Sequence, residues 1–293
     1  MQFTGQHWGG QNHLMLPAVS CEKFFDLSCY VKRLRVTTVP YSEWFPIYAF
    51  QDDENRIARM QTLCDYMQEA AGNSAAVLCV SMERMLEHGL TWVLARLRVV
   101  PVSLPSVYER IQVETWPVGV EGLQFRRDFI VRREDGSIVA RAVSHWVVVS
   151  LATRKICRIP AFIAEIALEN TATAMDDARS KLADVGPEFE SCVFRVRLAD
   201  VDRNHHVNNV RYLDWILESI PEDVRTGMRL ADIEMLFRAE SFRNDRIGVR
   251  TMPEEEQDGP AHGFVHSLVR EADGRELVRA RSVWHAEAGN GCA

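Results

Sequence analysis

The sequence predicts an α+β protein built from two similar halves, each a long helix wrapped by a curled antiparallel sheet. Three observations carry this prediction: one amphipathic helical pattern in each half, four strand-like runs after each helix, and a hairpin sequence that occurs twice. The chain has 293 residues, of which 47% are apolar and 26% charged, a composition typical of globular proteins. This length suits two domains of ordinary size.

Each half is predicted to contain one long helix. In the first half, the apolar positions of the run at 56–78 recur at helical spacing; they are Met60, Leu63, Met67, Ala70 and Ala71. The second helix follows Val207, where Val210, Leu213, Ile216 and Leu217 have the same spacing. Asn208 or Asn209 supplies a capping side chain at its start, and Pro221 lies where this helix would stop.

Strand-like runs follow each helix. They lie at 90–100, 107–116, 124–132 and 138–149 in the first half, and near 230–238, 246–252, 262–270 and 276–285 in the second. We therefore divide the chain into an N-terminal extension at 1–33, a first domain at 34–168, a polar linker at 169–189 and a second domain at 190–288.

A duplicated hairpin supports this division. The segments 131–146 (VRREDGSIVARAVSHW) and 269–284 (VREADGRELVRARSVW) align without a gap and share eight of sixteen positions. Each segment has Asp-Gly as the turn of a predicted β-hairpin. Because the shared tail R-A-x-S-x-W goes beyond turn chemistry, we interpret the match as an internal duplication.

Charge and cysteine pattern exclude several classes of protein. A net charge of −7 argues against nucleic acid or an anionic membrane surface as the main partner. No signal peptide is recognisable, and no window approaches the roughly 18 apolar residues of a membrane span. The seven cysteines lack C-x-x-C pairs and zinc-site spacing. We expect a reduced, cytoplasmic protein with free thiols and no metal site.

Candidate functional residues cluster before the second helix, where the sequence reads ADVDRNHHVNNVRYLDWILESIP at 199–221. Asp202, Asn204 and His206 approach a helix N-terminus, where unpaired backbone N–H groups favour a developing negative charge. The same place suits a catalytic site or a plain capping loop. The first-half helix has no histidine at its start.

These residues carry a family resemblance. The pattern D-x-N-x-H-V-N-N-V-x-Y, which starts at Asp202, resembles that of the acyl-acyl-carrier-protein (acyl-ACP) thioesterases of plant plastids and their bacterial relatives. The segments GLTWVLARL at 89–97, RRDFIVR at 126–132 and HWVVVSLATRKICRIP at 145–160 resemble that family's first domain. The likeness spans roughly 34–285. It implies two tandem hotdog domains and hydrolysis of acyl-ACP to free fatty acid in fatty acid biosynthesis.

The resemblance also assigns roles to residues of the second half. The stretch FRAES at 237–241 carries over Glu240 as general base, with His206 sharing the water or polarising the carbonyl. Asn204 would hold the water or Glu240, and Asp202 would orient the loop or the histidine. Backbone N–H groups near Val207 and Asn208 would bind the oxyanion, and His205 would be structural.

One position departs from the family pattern: Ser241 stands where many plant members have cysteine. This argues against a thiolate nucleophile and favours direct activation of water. No metal or organic cofactor is implied.

The resemblance further implies an acyl pocket in the first domain and an acyl carrier protein as partner. Candidate pocket residues are Met60, Leu63, Met67 and Trp92. A strongly acidic carrier would need cationic contacts on an acidic enzyme; the candidates are Arg126-Arg127, Arg132-Arg133 and Arg154-Lys155-Arg158, which a solvated strand face explains equally well. Both a monomer and a homodimer are compatible with the sequence, and the resemblance favours the dimer.

Three other functions are alternatives to acyl-ACP hydrolysis. Acyl-coenzyme A hydrolysis uses the same thioester chemistry. A hotdog hydratase is disfavoured because no proline lies between Asp202 and His206. A non-catalytic acyl-thioester binding protein would keep the pocket but lose the polar set that is present here.

Overall fold

The structure of the protein, a computed structural model, describes residues 40–166, 173–178, 181–254 and 261–286. The predicted extension at 1–33 lies outside the described residues, as do 169–172 and 179–180 of the predicted linker. Within the described ranges, no helix combines the length and apolar character that crossing a membrane requires.

The first half contains the predicted helix and the four predicted strands, with additional short elements. In chain order these are β1 Tyr41–Pro46, α1 Met60–Val77, α2 Met82–Glu87, β2 Leu90–Pro101, β3 Arg110–Glu121, β4 Gln124–Arg133, β5 Ile138–Ser150, β6 Ile156–Cys157 and α3 Ala161–Ala164. The sequence did not predict β1 and β6, because both are short and lack a clear alternating pattern.

The second half repeats this order. Its elements are a 3₁₀ turn at Pro187–Phe189, β7 Glu190–Arg195, a 3₁₀ turn at Leu198–Asp200, α4 Asn209–Glu218, α5 Glu222–Gly227, β8 Met228–Phe237, β9 Arg246–Pro253, β10 Ala261–Arg270 and β11 Arg275–Ala286. The predicted helix and four strands are confirmed, and α4 ends before Pro221 as expected.

All strands join one antiparallel sheet. Their order is β1-β3-β4-β5-β2-β8-β11-β10-β9-β7, with β6 paired to β5. The order 1-3-4-5-2 of the first half recurs in reverse as 8-11-10-9-7 in the second. The two halves are therefore related by an approximate two-fold axis between β2 and β8.

The long helices fill the inside of this curved sheet. Met60, Leu63 and Met67 of α1 are buried in the same apolar core as Leu213 and Ile216 of α4. The predicted inward face of α1 is thus confirmed. Because both helices share one core, the position of α4 depends on packing from both halves.

Ion pairs connect the two halves along the seam between them, which is the pairing of β2 with β8. Arg96 on β2 pairs with Glu234 on β8, and Arg98 pairs with Asp232, each at 2.6 Å. Both cations come from the first half and both carboxylates from the second. The Arg96–Glu234 pair is almost fully buried, so the cost of desolvating both charges offsets much of their attraction and we expect little net stabilisation from the pair.

The duplicated hairpins repeat in atomic detail. The glycines of both Asp-Gly turns have positive φ, 83° at Gly136 and 67° at Gly274. The indole N–H of Trp146 donates to the Ser144 hydroxyl at 2.8 Å, and that of Trp284 donates to Ser282 at 3.0 Å. The predicted internal repeat is therefore also present in the hydrogen bonds of the second strands.

The gapless alignment of the two hairpin sequences is wrong in the first strand of each hairpin. Arg133 lies opposite Ile111 in the sheet, and Arg270 lies opposite Ile247. The structural counterpart of Arg270 is therefore Arg133, whereas the gapless sequence alignment matches Arg270 to Arg132. The second turn contains one more residue than the first, which shifts the alignment by one.

The described parts of the linker, 173–178 and 181–189, contact the face of the sheet opposite the helices. Arg141 donates to the carbonyl oxygen of Ala174 at 2.8 Å, and the equivalent Arg279 donates to that of Ala183 at 3.0 Å. The Asp128 carboxylate accepts the backbone N–H of Ala174 at 2.7 Å. Repeated arginines therefore hold the linker against both halves.

A buried histidine links the end of α4 to the sheet. His266 Nδ1 lies 3.0 Å from the Thr251 hydroxyl, which lies 2.6 Å from that of Ser219, the C-cap of α4. His266 Nε2 lies 2.9 Å from the Ser282 hydroxyl. Burial lowers the pKa of His266 to about 3.

This histidine should make stability depend on pH. Below the ordinary histidine pKa of about 6.5, the unfolded chain binds a proton that the folded chain excludes, so stability falls with pH until about pH 3. We expect His266 to contribute a loss of about 2–3 kcal/mol between pH 7 and pH 4.5. Urea unfolding at several pH values should show a smaller acid loss for His266→Gln than for wild type. An unchanged loss would contradict the assignment, and the exposed His285→Gln is the matched control.

Candidate active site

The loop before α4 is closed by an antiparallel bridge between Val201 and Val207. Inside it, Asp202 Oδ1 accepts the backbone N–H of Asn204 at 2.8 Å and that of His206 at 3.4 Å. The backbone N–H of Asp202 donates to the His206 carbonyl oxygen at 2.8 Å. Asp202 therefore orients the loop backbone, and its contact with His206 is to the main chain and not to the imidazole.

Asn204 and His205 complete the turn. The Asn204 amide nitrogen donates to Asp202 Oδ2 at 3.4 Å, so the amide holds the loop and not Glu240. His205 is exposed and has φ of +64°, and its backbone N–H donates to the Asp202 carbonyl oxygen at 3.0 Å. These contacts are those of a polar turn.

Two side chains with catalytic capacity meet above this loop. His206 Nε2 lies 3.5 Å from Glu240 Oε2, and the two side chains remain 33% and 50% exposed. The Phe242 ring meets the imidazole edge-on, with ring centroids 5.2 Å apart. The sequence did not single out Phe242, although its position two residues after Glu240 places it on the same loop. A carboxylate and an imidazole in contact, both open to solvent, can share a water molecule and a proton.

The predicted oxyanion donors are wrong. The backbone N–H of Val207 donates to the Ser241 carbonyl oxygen at 3.0 Å, and that of Asn208 donates to the Asp200 carbonyl oxygen at 2.9 Å. Both groups are therefore already occupied by contacts that join the loop to neighbouring segments. The Asn208 side chain caps α4 as predicted, because its Oδ1 accepts the N–H of Val210 at 3.0 Å.

The backbone N–H groups at the start of α4 differ in whether they have an acceptor. The N–H of Arg211, in the first turn of α4, donates to the Asn208 carbonyl oxygen and is therefore occupied, as are those of Val207 and Asn208. Across the described ranges, the backbone N–H of Asn209 has no hydrogen-bond acceptor in the protein. It follows His206 by three residues and lies at the positive end of the helix dipole.

Ser241 faces the interior and not the open pair. Its side chain is fully buried, and its hydroxyl lies 2.7 Å from that of Tyr212. Burial raises the pKa of Tyr212 to about 12, so the phenol stays protonated. This geometry agrees with the prediction that the residue after Glu240 is not a nucleophile here.

The first half contains the same loop without the same chemistry. Asp53 Oδ1 accepts the backbone N–H of Asn55 at 2.8 Å and that of Ile57 at 3.0 Å. Arg56 has φ of +64°, the value found at His205. Ile57 therefore occupies the position of His206. The sequence signal was present, since Asp53 and Asn55 repeat the D-x-N spacing before the first helix.

The partner of the histidine is replaced as well. The backbone N–H of Ala58 donates to the Pro105 carbonyl oxygen at 2.8 Å, as that of Val207 donates to Ser241. Leu104, which precedes Pro105, therefore stands where Glu240 stands in the second half. The D-x-N turn is common to both halves, whereas the imidazole and carboxylate occur in the second alone.

The four predicted pocket residues do not lie together. Met60, Leu63 and Met67 are at most 4% exposed within the main core. Trp92 packs in a second apolar cluster, 5.9 Å from the Phe125 ring, and its indole N–H donates to the Val80 carbonyl oxygen at 3.0 Å.

Two of the predicted carrier-docking arginines are also misplaced. Arg126 and Arg127 are only 8% and 6% exposed. Arg126 pairs with Asp128 under the linker, whereas Arg127 points inward to the Ser74 hydroxyl at 3.0 Å. Burial lowers the pKa of Arg127 to about 10. Neither side chain can contact a docked protein.

The other two groups differ from each other. Arg132 pairs with Glu114, and Arg133 pairs with Glu109. Arg154, Lys155 and Arg158 are exposed and have no ionic partner in the part of the chain that the structure describes.

Family models match both halves. The acyl-ACP thioesterase N-terminal domain matches residues 38–167, and the acyl-ACP thioesterase C-terminal domain matches residues 186–286. The palmitoyl-acyl carrier protein thioesterase of Gossypium hirsutum is 30% identical over 261 residues, which cover 83% of this chain and 63% of that protein. The chain spans between 61% and 63% of the length of three curated plant relatives that it matches.

Solved structures share the fold. The 12:0-ACP thioesterase from Umbellularia californica is 25% identical, with a TM-score of 0.76 over 87% of this chain and 96% of that chain. An acyl-ACP thioesterase from Bacteroides thetaiotaomicron is 24% identical, with a TM-score of 0.74 over 83% of this chain and 97% of that chain. The predicted α+β fold of two tandem hotdog domains is confirmed. Because its two family models together cover most of the sequence, the chain belongs to the acyl-ACP thioesterase family.

Proposed function

We propose that the protein hydrolyses acyl-ACP to free fatty acid and ACP by direct activation of water. The contact between His206 and Glu240, at 3.5 Å and open to solvent, is the observation that carries this proposal. The apolar counterparts Ile57 and Leu104 support it, because the same scaffold exists in the first half without a catalytic pair. The similarity to proteins named acyl-ACP hydrolases supports the choice of substrate.

In this mechanism, Glu240 acts as general base, assisted by His206. The carboxylate takes a proton from water as the water oxygen bonds to the thioester carbonyl carbon. The C–S bond then breaks with its electron pair going to sulfur, and the proton held by the pair passes to the departing thiolate. The products are a fatty acid and the thiol of the carrier, so atoms and charge balance.

The negative charge on the carbonyl oxygen needs a donor during this step. We assign it to the backbone N–H of Asn209, since those of Val207 and Asn208 are occupied. One such donor contributes about 2.7–4 kcal/mol to transition-state stabilisation. Ser241 has no part in bond making, because it is buried against Tyr212.

The carrier and the acyl chain bind elsewhere on the molecule. We place the acyl chain in the first half, which contains two separate apolar clusters, one around Met67 and one around Trp92 and Phe125. Of the arginine groups, Arg154–Arg158 has the exposure that contact with an acidic carrier requires. A cytoplasmic location and a homodimer stay predictions from the sequence.

A substrate panel tests the proposal. Acyl-ACP thioesters of several chain lengths, the matching acyl-CoA esters and acyl-N-acetylcysteamine esters should be incubated with the protein, and released fatty acid measured by mass spectrometry. Thiol dyes are unsuitable because Cys157 and Cys192 are partly exposed free thiols. The expectation that the cysteines are free thiols is wrong at Cys79, which is disulfide-bonded. We expect release from acyl-ACP with a kcat/KM at least about tenfold above that for acyl-CoA. No release from any thioester would reject the hydrolase, and equal rates on both carriers would reject the carrier preference.

A further inference from the structure

The loop that carries Glu240 is anchored by residues outside the site. It connects β8 to β9, and its backbone is tied to the chain before α4 by the hydrogen bond from Val207 to Ser241. At the end of the loop before β9, the N–H of Asn244 donates to the Val196 carbonyl oxygen at 3.0 Å. The N–H of Val196 in turn donates to the Asp245 carbonyl oxygen at 2.9 Å. These contacts hold Ser241 and the end of the loop before β9, but none of them is made by Glu240 itself.

Arg270 supplies the missing contact. Its Nη1 donates to the backbone carbonyl oxygen of Glu240 at 3.2 Å and lies 3.5 Å from Asp245 Oδ2. The same Asp245 oxygen accepts the backbone N–H of Phe242 at 2.9 Å. Arg270 and Asp245 therefore hold the peptide groups on both sides of Ser241.

The guanidinium is itself held rigidly. Its Nε and Nη2 donate to the two carboxylate oxygens of Asp273 at 2.9 and 2.8 Å, and the side chain is only 14% exposed. A bidentate pair of this kind fixes the plane of the guanidinium as well as its position. Nη1 is thereby aimed at the carbonyl group of Glu240.

The first half contains the same anchor around a residue without chemistry. Arg133 donates to the Leu104 carbonyl oxygen at 3.0 Å and to Glu109 at 2.8 Å, and Glu109 accepts the backbone N–H of Ser106 at 3.1 Å. Leu104 is the counterpart of Glu240, so the two arginines make equivalent contacts. Of these two backbone contacts, the one made by Arg270 holds a residue with an ionisable side chain, Glu240, and the one made by Arg133 holds a leucine.

We propose that Arg270 and Asp245 are positioning residues that hold the Glu240 backbone so that its carboxylate meets His206. The inference rests on the proposed function, because it assigns Glu240 a catalytic role. The geometric requirement is strict, since a displacement of about 1 Å in a catalytic group can cost on the order of 100-fold in rate.

Matched substitutions in the two halves test this proposal. We expect Arg270→Met to lower kcat for acyl-ACP about 10- to 100-fold with KM within about twofold of wild type. Arg133→Met removes the equivalent contacts in the first half. Because Arg133 is paired with Glu109 and lies outside the proposed docking group at 154–158, this variant should leave kcat unchanged. Asp245→Asn and Glu109→Gln form a second, milder pair with the same expected contrast, and circular dichroism and thermal melting confirm that each variant is folded.

A double-mutant cycle separates positioning from general destabilisation. In a Glu240→Gln background, Arg270→Met should lower kcat no further, because Arg270 acts through the Glu240 carboxylate. The positioning role would be overturned if Arg270→Met and Arg133→Met lowered kcat equally. It would also be overturned if the loss of kcat from Arg270→Met added to that from Glu240→Gln. A wild-type protein without any turnover would reject the proposed function itself, which distinguishes the two failures.

Discussion

Replacing His206 with alanine should lower kcat for acyl-ACP hydrolysis about 100- to 10,000-fold, and Glu240→Gln should do the same. The two side chains form one unit at 3.5 Å, so the double variant should lose scarcely more than either single variant. The measurement is fatty acid release under single-turnover conditions, which separates chemistry from product release. Full activity in either single variant would exclude the carboxylate–imidazole mechanism.

Two controls make this result specific. Ser241→Ala should retain activity, because the hydroxyl bonds to Tyr212 in the interior. It should lower the free energy of unfolding by about 1–3 kcal/mol, because the buried Tyr212 hydroxyl loses its partner. Asp202→Ala and Asp53→Ala remove the same turn contacts in the two halves. Of these two, only Asp202→Ala should lower activity, since only the second turn carries the histidine.

Asp128→Ala should lower the free energy of unfolding by about 3–5 kcal/mol, because it removes the buried carboxylate to which two N–H groups of the buried Arg126 donate and leaves the more exposed Glu121 carboxylate at 3.8 Å. The Asp128 carboxylate is fully buried, accepts Nε and Nη2 of Arg126 at 2.7 and 3.0 Å, and also accepts the linker N–H of Ala174. Urea unfolding measures the loss. Hydrogen exchange should show faster exchange at Ala174, whose N–H would have lost its acceptor.

The exposed Asp135→Ala is the control for this substitution, because its carboxylate caps a hairpin turn on the surface. It should change stability by less than about 1 kcal/mol. Replacing both Arg126 and Asp128 with leucine should recover much of the loss, since no uncompensated charge stays buried. A double variant as unstable as Asp128→Ala would show that the linker contact, and not the ion pair, dominates.

The sequence predicted those features that depend on local periodicity. The spacing of Met60, Leu63 and Met67 indicated the buried face of α1, and the Asp-Gly pairs indicated both hairpins. The D-x-N-x-H pattern located the turn that carries His206, and the family resemblance located Glu240. These features depend on contacts within a few residues or on a repeated motif.

Features that depend on distant segments were missed. Alternation along β4 suggested that Arg126 lies on a solvated face, but residues about fifty positions later cover that face. The N–H groups of Val207 and Asn208 were expected to be free, yet their acceptors belong to Ser241 and Asp200. Arg270 was visible as a repeated residue, but one additional residue in the second turn concealed its true counterpart.

The charges at the seam between β2 and β8 make the two halves complementary to each other and not to themselves. Two first halves joined through β2 would set Arg98 against its own copy, and two second halves joined through β8 would do the same with Glu234. Repulsion between like charges therefore disfavours the pairing of either half with a second copy of itself, although the duplicated fold would otherwise permit such self-association. If chains exchanged halves, the first half of one molecule would select the second half of another, and every reunited pair would contain a single site.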